Sequence, residues 1–315
     1  MRIPLRFPGP GPPFDVVGLG LNSVDLLATV TGHPRPNSKQ RAERLTRQPG
    51  GQAATAMVTC ARLGWKARYI GRFGDDEHGA LGIESLRREG VDVSASVTVK
   101  GARNQVALIL VDARSGDRTI VWDRDPALTM RAADVPRDAV VSGRILLVDC
   151  HETEAALEAA RHAKAAGMPT VIDVEEVRPR IDELLRTIDV IIASEDFPSA
   201  LTGHGDLGRA LSALADEFRP AVACVTLGRR GSLALVGGRE IRTPGFTVTP
   251  CIDTTGAGDV FRGAFIAAYL AGGADAPAED VLAYANAAAA LKCRRLGARD
   301  AIPTRQEVEA LVASR

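Results

Sequence analysis

The feature that most limits how this chain can fold is an alternation. Short, wholly apolar runs, "DVVGLGL", "ARYIGRF", "RILLVDC", "TVIDV", "DVIIAS" and "AVACVTLG", recur along the 315 residues. A run that is apolar throughout, rather than at every second residue, fits a parallel strand covered on both faces. Between the runs lie segments of helical period, "GQAATAMVTCARLG", "GALGIESLRREG" and "TEAALEAARHAKAAG", each closing on the glycine that commonly caps a helix. Such βαβ alternation predicts an α/β fold: a mainly parallel central sheet with helices on both faces and right-handed crossovers. Ligands of such folds bind beyond the carboxyl ends of the strands.

Two stretches break the rhythm. Residues 103–123, "RNQVALILVDARSGDRTIVWD", read as two strands around a polar turn at "ARSGDR", and residues 32–51 are charged without a helical apolar stripe. Together they are expected to form a small antiparallel flap, or lid, over the strand ends. The core is then 14–31, 52–102 and 124–315, the lid 32–51 and 103–123. The proline- and glycine-rich residues 1–13 are expected to be a loose tail.

Charge narrows the partners. Thirty-nine basic and 39 acidic residues balance, so there is no broad electrostatic footprint for nucleic acid or an anionic membrane. The five cysteines, Cys60, Cys150, Cys224, Cys251 and Cys293, are scattered without metal-ligand spacing. They read as reduced packing residues of a cytoplasmic protein. No stretch resembles a signal peptide or a membrane span.

The chemistry must come from loops. "GLGLNS", residues 18–23, approaches the dinucleotide fingerprint, but Ser23 replaces its last glycine and strand-like sequence follows where a helix is needed. The pattern GxxxxGK[ST] is absent. "DTTGAGD", residues 253–259, is more informative. Gly256 and Gly258 allow close backbone approach, and the helix that follows points unpaired N–H groups and its positive dipole end at one spot, which suits phosphate. Asp259 would repel a resident phosphate unless it had a chemical task. Taking a proton from an attacking hydroxyl is such a task, and phosphoryl transfer needs little beyond alignment and charge stabilisation.

"DTTGAGDVFRGAF" resembles the second signature of the ribokinase-like (PfkB) sugar kinases, and "GGQAATAMVTCARLG" is similar to their first. "GRFGDDEHGALGIESLRREGVDV", "VTLGRRGSLAL" and "YANAAAALKCRRLGARDAIP" fit in order, so the resemblance covers Asp15 to Pro303. It implies that Asp259 is the catalytic base and that Gly256, Ala257 and Gly258 supply an anion hole for the transferring phosphoryl group. It implies ATP beside Thr226, Gly228 and Gly231, with Ser194 near the phosphates and Asn286 on the helix walling the adenine pocket. Asp25 would grip sugar hydroxyls, with Gly51 on the pocket floor and Asn22, Gln52 and Thr55 around it; Lys39 of the flap could meet an anionic substituent. Magnesium would accompany ATP. Asp253, Thr255 and Gly297 match the positions at which relatives hold a monovalent cation such as potassium.

The chain also departs from the family pattern. Thr55 stands for the usual asparagine, and the NxxE element near the phosphates is replaced in "SEDFPSALTG", with Ser194 for the asparagine and Phe197 for the glutamate. Ketohexokinase-like and sulfofructose-kinase-like branches resemble the chain in lacking that element. The reading is an ATP-dependent kinase acting on a hydroxymethyl group of a small sugar or sugar derivative, a ketohexose or hexose phosphate ranking above ribose. The lid would close over the substrate and exclude water, and its exposed strand edges suit a homodimer joined through the lids. Two alternatives are a nucleoside kinase, which the 4% aromatic content and the lone flap Trp122 serve poorly, and a non-catalytic sugar- or nucleotide-sensing protein on the same fold.

Overall fold

A computed structural model describes residues 1–114 and 117–315. Fourteen strands form along the described chain: β1 (Val16–Leu19), β2 (Ser23–Val30), β3 (Arg44–Gly50), β4 (Ala67–Ile70), β5 (Arg72–Gly74), β6 (Val97–Val99), β7 (Val106–Asp112), β8 (Arg118–Asp123), β9 (Ile145–Asp149), β10 (Thr170–Val174), β11 (Val190–Ser194), β12 (Val222–Thr226), β13 (Ser232–Val236) and β14 (Arg239–Thr243). The helices are α1 (Gln52–Arg62), α2 (Glu77–Arg88), α3 (Arg137–Val140), α4 (Thr153–Ala165), α5 (Ile181–Leu185), α6 (Phe197–Thr202), α7 (Leu207–Phe218), α8 (Ala257–Gly272), α9 (Ala278–Lys292) and α10 (Arg305–Ala313).

The central sheet runs β14-β13-β12-β11-β10-β9-β1-β4. The strands from β12 to β4 in that order are parallel, and β13 and β14 are an antiparallel edge. Because successive side chains of a strand point to opposite faces, the apolar runs feed two cores. Val16, Ile145 and Leu147 pack with α1, α8 and α9 on one face. Val17, Leu146 and Val148 pack with α4, α5 and α7 on the other. The order reverses between β1 and β9, so the loops leaving those two strands part company there and open a crevice at their carboxyl ends.

A second sheet, β3-β2-β7-β8, stands over that crevice as the lid. β7 and β8 pair antiparallel as expected for the hairpin; Ser115 and Gly116 of its turn lie outside the described residues. One boundary differs from expectation, since β2 belongs to the lid and not to the core. Its residues alternate: Asp25, Leu27 and Thr29 share the face of Ala107, Ile109 and Val111, and Leu27 and the three β7 residues close over Leu296 of the core. Val24, Ala28 and Val30 on its other face are buried too, so β2 is covered on both sides over most of its length, and only its partner strands place it in the lid.

Residues 1–13 are not loose. Ile3 is buried, the Met1 carbonyl accepts from the Ala278 amide at 2.6 Å, and the Tyr269 hydroxyl donates to the Leu5 carbonyl at 2.7 Å. Phe7 meets the Tyr269 ring edge-on, with centroids 5.1 Å apart, and the Arg144 guanidinium covers its other side. The physical reason is the spacing of Met1, Ile3, Leu5 and Phe7: in an extended chain they share one face. The prolines prevent helix formation but not docking. All five cysteines are free, with Cys251 alone among them exposed. No helix among the described residues is long and apolar enough to cross a membrane.

Candidate active site

The first turn of α8 lies under the lid. Gly256 precedes it with φ +77°, and a Cβ there would sit 2.9 Å from Ala298, so the close approach of two loops requires glycine. The Ala257 amide closes a turn on the Thr254 carbonyl at 3.2 Å. The next amides, of Gly258 and Asp259, belong to the set that a helix cannot satisfy internally. Gly258 has the Arg262 guanidinium beside it, 2.4 Å from where a Cβ would stand. That arginine is buried in an otherwise apolar helix; its Nη2 lies 2.9 Å from Asp173 Oδ1 and donates to the Ile192 carbonyl at 3.2 Å. The Gly258 and Asp259 amides at this turn therefore make an N–H-lined cradle with a fixed cation at its side, suited to an anion, while the Ala257 amide is already engaged by Thr254.

Asp259 is partly exposed at the bottom of the cleft. Loss of water around it pushes its carboxyl up to about 7, against the opposing pull of Arg262; Glu175 and Asp25 push the same way as burial, and Arg118 of β8 opposes. Asp173, fully enclosed beside Arg262, is held well above the usual carboxylate range, again chiefly by burial. One carboxyl near neutrality that faces open space, and a second kept within the scaffold, is the division of environments that separates a proton acceptor from a structural acid.

The lid supplies the opposite wall. On its inner face Gln48, Asp25, Ala107 and Trp122 form one cross-strand row. Asp25 is buried, accepts from the Ser23 hydroxyl at 2.8 Å, and is raised to about 6, mainly by desolvation, with Arg299 pulling it back. Asn22 donates through Nδ2 to Tyr69 Oη at 3.1 Å and the Arg72 carbonyl at 2.8 Å. Gly51 packs directly on the Asn22 backbone, leading into Gln52 and Thr55 on the first turn of α1. Around Asp25, Asn22 Oδ1, Gln48 Oε1 and Gln52 Oε1 are buried acceptors without donors. Buried polar atoms are rarely left so, and the hydroxyls of a polyol are donors of the right kind. Thr55 differs: it is wholly buried, and its Oγ1 accepts from Arg299 Nε at 3.4 Å.

Lys39 is not brought to this row. It is exposed on the connection that leaves β2 at Val30, five residues and roughly 17 Å along the strand beyond Asp25. In its place the chain offers Arg299, buried and bonded to the Gly50 carbonyl and Ser85 Oγ, and Arg118, which donates from β8 across to Thr254 Oγ1 at 2.7 Å. Neither stands out in the sequence, because arginines are common and only pairing of distant segments reveals these two. Arg262 does carry a sequence signal: it is the one charge after Asp259 in an apolar helix, and three residues on it shares that face.

On the other side of the cradle, Ser194 and Thr226 end the neighbouring strands β11 and β12 and lie opposite each other. After them the chain turns through Gly228 and Gly231; at Gly231, φ is +92° and a Cβ would fall 2.0 Å from the Thr243 carbonyl oxygen. This bare turn at the strand ends leaves room for a flat or anionic group. Asn286 lies beside this turn: its Nδ2 donates to Ser232 Oγ at 2.9 Å and to the Thr243 carbonyl at 3.4 Å, tying α9 to the sheet edge. Phe197 is fully buried in the core, and Glu195 pairs with Arg230 across the turn.

Asp253, Thr255 and Gly297 do come together. Asp253 is fully buried, its Oδ1 accepting from the Thr255 amide at 2.8 Å and its Oδ2 from the Gly297 amide at 2.7 Å. A monovalent cation does not fit there, however, because Lys292, also fully buried, places Nζ 2.8 Å from the Asp253 carbonyl oxygen and 3.9 Å from its Oδ2. The sequence reading of a potassium site is corrected accordingly: a second positive charge beside a buried ammonium would be repelled. Among the described residues no group of three or more His, Cys, Asp or Glu is arranged to hold a metal ion.

A parallel sheet with a β lid, and a glycine-lined helix terminus facing an acidic pocket, define the ribokinase-like class of α/β proteins. The chain belongs to the pfkB family of carbohydrate kinases, whose family model matches residues 14–305. It is 29% identical to a ribokinase of Bacillus subtilis over 301 residues, covering 94% of this chain and 98% of that protein. It is 30% identical over 328 residues to fructokinase-1 of Oryza sativa, covering 95% and 98%. Among solved structures, Arabidopsis thaliana ribokinase complexed with ribose and ATP superposes with a TM-score of 0.80 at 26% identity, over 95% of this chain and 98% of that one.

Proposed function

We propose that the protein transfers the terminal phosphoryl group of ATP to a hydroxymethyl group of a small sugar or sugar derivative, a ketohexose or hexose phosphate ahead of ribose. The observation that carries this reading is Asp259: a carboxyl raised to about 7 at the head of an N–H-lined helix turn, close enough to Asp25 to feel its charge. The relatives named ribokinase and fructokinase, and the neighbour bound to ribose and ATP, support phosphoryl transfer to a sugar, while the ranking among sugars rests on the sequence motifs.

In this mechanism the lid row of Asp25 and Gln48, with Asn22 and Gln52, orients the sugar so that one hydroxyl faces Asp259. Ionised Asp259 takes the proton as the oxygen attacks, a step favoured when the base lies near the working pH. The amides of Gly256 and Gly258, and that of Ala257 once it leaves the Thr254 carbonyl, stabilise the charge on the transferring group with Arg262 alongside. Ser194, Thr226, Gly228 and Gly231 line the path to the nucleotide, and the Asn286 link to Ser232 fixes that wall. Magnesium bound to ATP would neutralise phosphate charge and take most of its ligands from phosphate and water, which fits the lack of an NxxE element and of an acidic metal cluster among the described residues. The Arg118–Thr254 bond holds the lid down and keeps water out. The outer lid face, exposing Leu45, Leu108 and Val121, is the surface through which two copies would join as a homodimer.

A nucleoside kinase is the second reading, favoured by Trp122: its indole is half-exposed on the lid's inner face in the row of Asp25, where it can stack on a base. ADP release measured across ketoses, aldoses, sugar phosphates and nucleosides tests both. A clear preference for a purine nucleoside would reverse the ranking, and no turnover with any acceptor would remove the proposal.

A further inference from the structure

We infer that Lys292 is a built-in counter-ion for the anion-hole loop, so that this kinase works without the monovalent cation that the Asp253 site otherwise calls for. The inference rests on the kinase reading of the cradle for its functional consequence, and on geometry alone for the site.

Asp253 opens the loop that ends in Gly256, and its carboxylate is fully buried. Two backbone amides satisfy its oxygens, those of Thr255 and Gly297, but amides carry no net charge. A buried carboxylate needs a cation as well as hydrogen bonds to stay ionised. Lys292, the last residue of α9, supplies it from inside the chain: its side chain is fully buried, and its ammonium donates to the Asp253 carbonyl at 2.8 Å while lying 3.9 Å from Oδ2. The carbonyl is the atom that a free ion would use, since small cations are bound by rings of backbone oxygens replacing their hydration shell.

The backbone around the pair is closed as well. The Ile252 amide donates to the Cys293 carbonyl at 2.7 Å and the Asp253 amide reaches the same oxygen at 3.3 Å. Thus α9, the loop 293–299 and the loop 251–256 are drawn together at one buried charge pair, three residues from the first amide of the cradle. Burial lowers the ammonium's hold on its proton and Asp253 offsets part of that loss. Lys292 is a positioning residue: it touches no substrate, and acts by fixing where the Gly256–Gly258 amides point.

A free ion and a tethered ammonium give opposite dependences on added salt. The wild-type protein is exchanged into tetramethylammonium chloride at about 0.1 M, with potassium chloride and sodium chloride at equal ionic strength as comparisons. Thermal melting with and without MgATP is the first readout, ADP release with D-fructose and D-ribose the second. Melting temperatures that agree within about 1 °C, and rates within about twofold, are expected. Potassium-specific stabilisation of several degrees, or activation beyond about fivefold, would overturn the inference. Cation-independent melting without ADP release would leave the counter-ion standing, and the full acceptor panel would then decide the kinase reading. In Lys292→Ala the vacated position is expected to cost at least about tenfold in rate, with part regained on adding potassium or methylammonium but not tetramethylammonium. Unchanged activity of that variant would also overturn it. Should Lys292→Ala fail to fold, the wild-type salt comparison decides alone.

Discussion

Replacing Asp259 with asparagine separates a catalytic carboxyl from a structural one, because the two predict opposite changes in stability. The wild-type carboxyl rises from 3.8 to about 7 in the folded protein, mainly through burial. At about 1.4 kcal/mol for each tenfold change in ionisation, that rise of about three is a ceiling of about 4 kcal/mol. The side chain is partly open to solvent in the cleft, so screening leaves about half of this, roughly 2 kcal/mol. The sign follows from linkage. Below the unfolded value the group is protonated in both states and adds no strain. Between there and about 7 only the unfolded chain ionises freely, so wild-type stability falls as pH rises, and the loss is complete above about 7. Asp259→Asn escapes the loss. Its melting temperature is expected to match wild type near pH 4 and to exceed it by about 2–4 °C near pH 8, as scanning calorimetry of both proteins would record. Phosphoryl transfer should meanwhile fall by about a thousandfold or more, within the range for removal of a general base, while ATP still binds by calorimetric titration. A gap in melting temperature that stays flat from pH 4 to 8, or turnover that survives, would refute the reasoning.

Three further outcomes are expected. In wild type, kcat/KM for the best sugar rises with pH up to about 7 and levels off above it, because the base must be ionised; a profile flat across that range would remove Asp259 from the step. Asp25→Asn leaves ATP affinity unchanged and raises the KM for the sugar by about 10- to 100-fold, the value of one charged hydrogen bond, as steady-state kinetics would show. Arg118→Gln, which breaks the bond from lid to Thr254, raises the ratio of ATP hydrolysed to sugar phosphorylated in a coupled product assay, since a looser lid admits water.

Much of the layout was legible in the chain because it is written locally. Continuous apolar runs can only be strands covered twice, and the two cores that share alternate residues of β9 follow from that pattern. The cradle was legible for a similar reason: glycine, helix start and acid are adjacent in sequence. β2 was assigned to the wrong sheet because its inward Asp25 and outward apolar residues take meaning only from the partner strands. The tail was misjudged because proline content speaks of conformation and not of docking, while Met1, Ile3, Leu5 and Phe7 find their groove only in the folded core. The place of Lys39 was hidden for the same cause, since how far a loop sits along a strand is a property of three-dimensional neighbours.

The sequence alone determined the α/β class, the order of the elements, the anion cradle and its carboxyl, because each depends on residues within a few positions of one another. Only the tertiary structure decided what surrounds that carboxyl: Arg262 against Asp173, Arg118 reaching from the lid, the unpaired acceptors around Asp25, and Lys292 in place of a free ion. Charge interactions in a dry interior depend on distance and burial. Thirty-nine residues separate Asp253 from Lys292 along the chain, and nothing in their order says that one neutralises the other.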